Sequence, residues 1–197
     1  SGLIHALKTG EGQVVDSAMV DGSLSLMSFF YSLEEMGHWE DSRESNLLDG
    51  FAHFYDTYEC SDNKYIAVGS IEPQFYSELL DKLEIDDEQF QDQHNKKIWP
   101  ELKEKMAAKI KLKSRSEWVE IFSHSDACVS PVLSMEEAQE HPHNLARDAF
   151  TTIDGFNQPN ASPRYSKTQQ KVKHNAKKVG TDLDDICNEF NLSKDVL

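Results

Sequence analysis

Two strand-like runs, Phe54 to Cys60 and Tyr65 to Gly69, flank the polar tetrapeptide Ser61-Asp62-Asn63-Lys64. Aromatic and β-branched residues on both sides of a turn-forming segment predict an antiparallel β-hairpin. Directly beyond it, after Ser70-Ile71-Glu72, Pro73 suits the first position of a helix, and Phe75, Tyr76, Leu79, Leu80 and Leu83 supply its apolar face. A hairpin running straight into an amphipathic helix constrains the chain more than any other feature. It departs from the strand–helix–strand alternation of a parallel sheet, and the mixed order over residues 54–150 predicts an α+β fold.

The flanking sequence fills in that plan. Leu3 to Lys8 reads as the last turns of a helix, closed by a turn at Gly10 and Gly12. Gln13 to Asp16 reads as a short strand, and Ser17 as the cap of a helix from Ala18 to about Met36, ended by Gly37. Residues 38–53 show no regular period and read as a linker. Past the Pro73 helix, Glu84 to Asn95 is acidic and polar. Pro100 opens a helix to about Lys113, and Ser114 or Ser116 caps the next one, through Trp118, Ile121 and Phe122. Ala127 to Leu133 reads as a strand, with Pro131 marking an edge or an end. Ser134-Met135-Glu136-Glu137 is a capping-box pattern, His141-Pro142-His143 a break, and Phe150 to Ile153 a strand ending at Asp154-Gly155. Thr181 reads as the cap of a last helix through Ile186 and Phe190.

Charge narrows the function classes. With 20 Lys and Arg against 35 Asp and Glu, the net charge is −15. That balance argues against a nucleic-acid surface, which needs clustered Lys and Arg, and against docking on anionic lipid. No apolar run approaches the roughly 18–20 residues of a membrane helix, and the start lacks a signal-peptide pattern. Cys60, Cys128 and Cys187 are far apart and form no paired motif, which fits reduced thiols rather than a disulfide framework or a zinc ribbon. The last four residues, 194–197, match neither an ER-retention nor a peroxisomal tail. A cytoplasmic protein is the expectation.

Among candidate chemical groups, Glu72 stands out. It lies between a strand end and a Pro-started helix, where exposed N–H groups and the helix dipole hold a carboxylate. In an apolar pocket the same group would be poised for proton transfer; the plainer alternative is an ordinary first-turn Glu. His141 and His143 have no third ligand at a matching spacing and read as polar loop. Asp49, Asp56, Glu59 and Asp62 lack the EF-hand order and read as a solvated acidic face, so no metal is expected. Arg164, Lys167, Lys171, Lys173, Lys177 and Lys178 could meet a phosphate, but attraction to the acidic body is the simpler account.

Longer strings narrow the reading further. Residues 46–55 (NLLDGFAHFY) and 65–76 (YIAVGSIEPQFY) resemble the α-methylacyl-CoA racemases of the family III CoA-transferase (CaiB/BaiF) superfamily. Supporting matches are Gly12 to Asp16, Asp126 to Leu133, His141-Pro142-His143 and Ser162 to Thr168. The Ile71-Glu72-Pro73-Gln74-Phe75-Tyr76 string is similar to the racemase branch in particular. Phe51 stands where a glycine is usual, His53 where Pro is common and Asp148 where Gly is usual; the bulkier Phe51 bears on the shape of the acyl pocket.

The resemblance implies inversion at Cα of a 2-methylacyl-CoA thioester through an enolate. Glu72 would act as a catalytic acid/base, and Leu48, Tyr55 and Ile71 would line the acyl pocket. Acyl-CoA is then the substrate, and no cofactor is implied. It further implies the small domain of the family fold, together with the segments that join it to a Rossmann-like large domain. On that map, 1–36 end the large domain's first pass, 37–55 link out, 56–150 form the small α+β domain and 151–197 return. The family's upstream His and Asp would precede Ser1, so this chain alone is expected to be inactive, while the whole enzyme would be an interlocked homodimer. Two alternatives stand beside this: a transferase moving CoA between carboxylic acids, and a non-catalytic binding or assembly module.

Overall fold

The computed structural model describes residues 1–193; the terminal tetrapeptide considered above lies outside the described residues. The chain divides into two compact units, Ser1–Val132 and Leu133–Leu197.

The first unit opens with three short helices, α1 (Gly2–Thr9), α2 (Met19–Leu26) and α3 (Ser28–Glu35), none of which carries a buried residue. Leu3, Leu7, Met19 and Leu26 are each at least 81% exposed. The single helix expected over 18–36 is interrupted at Met27. There, Ser28 and Ser32 donate their hydroxyls back to Ser25 O (2.6 Å) and Ser28 O (3.0 Å), the kind of back-bonding that competes with a helix ladder. The strand expected at Gln13–Asp16 does not form: Val14 and Val15 are exposed and pair with no other strand.

The hairpin forms as predicted. β1 (Tyr55–Glu59) and β2 (Tyr65–Gly69) are antiparallel with Tyr55 opposite Gly69 and Tyr58 opposite Ile66. The Asn63 backbone, at φ 58°, takes the left-handed conformation the turn needs. β3 (Val129–Pro131) adds to the other side of β2, so β2 is central and Pro131 sits on an edge strand, where a missing N–H is tolerated. Tyr58, Ile66 and Val68 are buried.

That buried face meets three helices. α4 (Pro73–Leu83) buries Tyr76, Leu79, Leu80 and Leu83, a spacing that puts all four on one side. α5 (Trp99–Ile110) buries Trp99, Leu102, Met106 and Ile110. α6 (Arg115–Ile121) starts at a capping box of Ser114 and Glu117, which settles the choice between Ser114 and Ser116. Each fully buried Leu stabilises the fold by roughly 1.5–3 kcal/mol. The polar stretch before α5 is not a solvated loop: it contains a 3-10 turn (Glu88–Gln91), Phe90 is inside the core and Gln93 is buried.

Residues 38–53 are irregular yet fixed. Asn46, 1% exposed, accepts the Glu40 N–H (2.8 Å) and donates to Glu40 O (2.9 Å). Asp49 accepts the backbone N–H groups of Ser45, Asn46 and Phe51. Burial raises the Asp49 pKa, but those hydrogen bonds outweigh it and hold the carboxyl below its ordinary value. Lys103 on α5 pairs with Asp56 and donates to Gly50 O (2.5 Å), tying the segment to the helix.

The second unit holds α7 (Met135–Glu140), with its Ser134–Glu137 capping box, α8 (Pro142–Ala146), and a hairpin of β4 (Phe150–Ile153) and β5 (Phe156–Pro159). Asp154 and Gly155 both have positive φ, the requirement of a tight two-residue turn. The sequence predicted β4 and this turn but not β5. α9 (Leu183–Phe190) buries Cys187; its N-cap is Asp182, whereas the Thr181 hydroxyl turns back to Lys178 O (2.6 Å). No helix among the described residues is long and apolar enough to cross a membrane.

Candidate functional site

Glu72 sits at the N-cap of α4 with an extended backbone (φ −73°, ψ 141°). Pro73 at the first helical position lacks an N–H, so it leaves no orphan donor there and pre-sets the helical φ. The Glu72 carboxylate makes no capping hydrogen bond and is exposed. The expected capping engagement is therefore replaced by a free acid at the mouth of the helix.

Its backbone, by contrast, is held on every side. Gly69 N–H donates to Cys128 O (3.0 Å), Ser70 N–H to Phe54 O (3.0 Å), and Ile71 N–H back to Gly69 O (3.0 Å). The buried Ser70 hydroxyl donates to Ala127 O (2.5 Å). Gln93 Nε2 donates to Ser70 O (3.1 Å) and Ile71 O (3.0 Å), and Trp99 Nε1 donates to Gln93 O (2.7 Å). On the helix side, Tyr76 N–H donates to Glu72 O (3.0 Å).

The structure brings Tyr55 and Ile71 to this end of the sheet. Tyr55 pairs with Gly69 across the hairpin, and a Cβ on Gly69 would lie 3.7 Å from the Tyr55 ring and 3.8 Å from Cys128 O. Ile71 is half-buried against the core beside Glu72. Leu48 is half-buried in the turn of residues 47–50, on a separate segment, and takes no part in the hydrogen bonds that hold Glu72.

Cys128 belongs to the same neighbourhood, which sequence reasoning did not anticipate. Its backbone is left-handed (φ 54°), and its thiol donates to Asp126 O (3.4 Å). Burial pushes the thiol pKa up, and the negative charges of Glu72, Asp126 and Glu78 push it further, so Cys128 is a neutral thiol rather than a nucleophile near neutral pH. Gln93 was equally invisible, because it lies more than twenty residues beyond Glu72 in a stretch without periodicity.

Behind the turn lies a buried polar row. The Tyr58 hydroxyl donates to His53 O (2.5 Å), the Tyr76 hydroxyl donates to Phe90 O (3.0 Å), and His53 Nε2 meets the Tyr76 oxygen at 2.7 Å. Burial depresses the His53 pKa to about 4, with a further contribution from His94, so His53 is neutral. It packs in the core rather than reaching the exposed acid. His141 and His143 border the start of α8, and among the described residues no group of three or more metal-ligating side chains forms.

Chemically, the arrangement presents the solvent-accessible Glu72 carboxylate on a rigid main chain. Inversion at a carbon centre needs a second group on the opposite face.

The chain is 40% identical over 196 residues to the mouse α-methylacyl-CoA racemase and 38% identical over 200 residues to the human one. These matches take in 98% of this chain but 51% and 52% of those proteins, so the chain spans about half the length of the curated relatives it matches. Among solved structures it is similar to a CAIB/BAIF family protein from Brucella suis, with a TM-score of 0.71 at 18% identity over 95% of this chain and 50% of that one. It is also similar to Rv3272 from Mycobacterium tuberculosis, with a TM-score of 0.65 at 17% identity over 87% of this chain and 45% of that one. These two likenesses concern the fold alone. The model of CoA-transferase family III matches residues 1–183, and the chain belongs to that family.

Proposed function

We propose that this chain is the Glu72-bearing part of a 2-methylacyl-CoA racemase. The observation that carries the reading is the 40% identity to a racemase over nearly the whole chain. The free carboxylate at the head of α4 supports it.

The thioester carbonyl acidifies the α-proton of the substrate. One base removes that proton and leaves an enolate, and a conjugate acid on the opposite face returns one to the same carbon. No electrons are gained or lost, and no group is transferred. Glu72 serves one face together with a His, and an Asp serves the other; on the family resemblance both partners belong to sequence outside this chain. On this reading Tyr55, Ile71 and Leu48 would line the acyl side of the pocket. The same reading makes the whole enzyme a cytoplasmic homodimer whose substrate is acyl-CoA and which needs no cofactor.

The test is α-proton exchange of a 2-methylacyl-CoA in D₂O, followed by NMR. It is run on this chain and on the longest natural chain that carries these residues. The expected result is exchange from the longer chain only. Exchange by these 197 residues alone would place a complete acid/base pair within them and overturn the assignment of the partners. The family also includes transferases. Turnover that requires a second carboxylic acid as CoA acceptor would decide for that reaction.

A further inference from the structure

We propose that Gln93 is a positioning residue for Glu72, its side-chain amide holding the two carbonyls that lead into the carboxylate-bearing residue; the inference rests on the reading of Glu72 as a proton-transferring group.

Gln93 is 7% exposed. Its Nε2 carries two hydrogens, enough for both Ser70 O at 3.1 Å and Ile71 O at 3.0 Å. The Ile71 carbonyl belongs to the peptide plane whose nitrogen is that of Glu72, so holding this oxygen holds that plane. On the other side, the Glu72 carbonyl receives the Tyr76 N–H at 3.0 Å. With both flanking planes fixed, φ and ψ of Glu72 are fixed, and only its side-chain torsions remain for aiming the acid.

Gln93 is itself anchored. The indole of Trp99, on α5 and 3% exposed, donates to its backbone carbonyl at 2.7 Å. A line of contacts thus runs from α5 through Gln93 to the peptide entering Glu72. On the opposite flank, Ser70 Oγ grips Ala127 O, in the segment that brings Cys128 alongside. A neutral amide suits this place. Two carbonyl oxygens need donors; an apolar residue supplies none, and a carboxylate would set a negative charge against both dipoles.

A purely structural role is the rival account, and it predicts a different pattern. Loss of stability alone lowers the melting temperature but leaves kcat of the folded protein unchanged. Misplacing a proton-transferring group lowers kcat with KM little affected, because the substrate still binds.

The experiment uses the longest natural chain that carries these residues. It measures kcat and KM for α-proton exchange, the pH profile and the melting temperature for the wild type, Gln93→Ala, Gln93→Glu and Glu72→Gln. Gln93→Glu keeps the size and, once protonated, regains one hydrogen to donate. The expected result is a fall in kcat of about tenfold to a hundredfold for both Gln93 variants, with KM little changed. The deficit of Gln93→Glu relative to wild type should narrow as pH falls. Wild-type kcat in either folded variant overturns the proposal, and so does a failure of both to fold, which would make Gln93 a core residue only. Loss of activity in Glu72→Gln with normal Gln93 variants sinks this inference alone. Normal turnover in Glu72→Gln sinks the reading of Glu72 and its positioning with it.

Discussion

His53 Nε2 lies 2.7 Å from the Tyr76 hydroxyl, and the phenol's other contact sets the direction of that bond. The single Tyr76 hydrogen is committed to Phe90 O at 3.0 Å, so the imidazole must donate. Nε2 therefore carries the proton, and Nδ1, fully buried, has no partner among the described residues.

Acid should destabilise the fold through this imidazole. Burial, and secondarily His94, lowers the His53 pKa from 6.5 to about 4. The unfolded chain therefore binds the proton more readily than the folded one. The associated stability is complete above about pH 6.5 and is lost progressively as pH falls towards 4, by about 3 kcal/mol at most. His53→Gln keeps a donor for Tyr76 and removes the titration. Urea unfolding at several pH values should show a shallower acid dependence in this variant, and an unchanged slope would refute the assignment.

Removing the Asn46 side chain should loosen the segment before β1. Asn46→Ala removes both partners of the Glu40 N–H and carbonyl, at a cost of about 0.5–1.5 kcal/mol for each bond lost. Hydrogen exchange at the Glu40 amide should speed up more than exchange in β2. Uniform behaviour of the two would mean that the loop is held by something else.

Glu72→Gln should separate chemistry from stability. The carboxylate makes no cap hydrogen bond, so the melting temperature should stay close to wild type, within about 0.5 kcal/mol of stability. Turnover in the longest natural chain should fall by a factor on the order of 10²–10⁴, the usual contribution of one acid/base group. A stable variant with near-normal turnover would remove Glu72 from the reaction.

What the sequence revealed follows from where each signal resides. The hairpin and α4 were legible because their information is local: aromatic and β-branched runs on both sides of a polar turn, and Pro73 followed by an apolar face. Glu72 was legible as a candidate from its place at that junction, and the resemblance gave it a role. Gln93 was not, since its partners are 22 and 23 residues away and a buried amide leaves no periodic trace. Val14 and Val15 misled in the opposite direction. Their β-propensity is real, but a strand exists only through a neighbour, and among the described residues none pairs with them. His53 looked like a simple replacement for Pro, whereas its buried bond to Tyr76 emerges only when the turn and α4 are packed together.

The bare apolar side chains of α1–α3 give this chain a colloidal character of its own. Copies carrying −15 repel one another at long range, but that repulsion decays over about 10 Å in 0.1 M salt and about 3 Å in 1 M salt. Attraction between Leu3, Leu7, Met19 and Leu26 acts only at contact and is little weakened by salt. Added electrolyte therefore removes the opposing force and leaves the adhesive one. Raising the ionic strength is therefore expected to lower the concentration at which copies of this chain associate, which light scattering across a salt series would read.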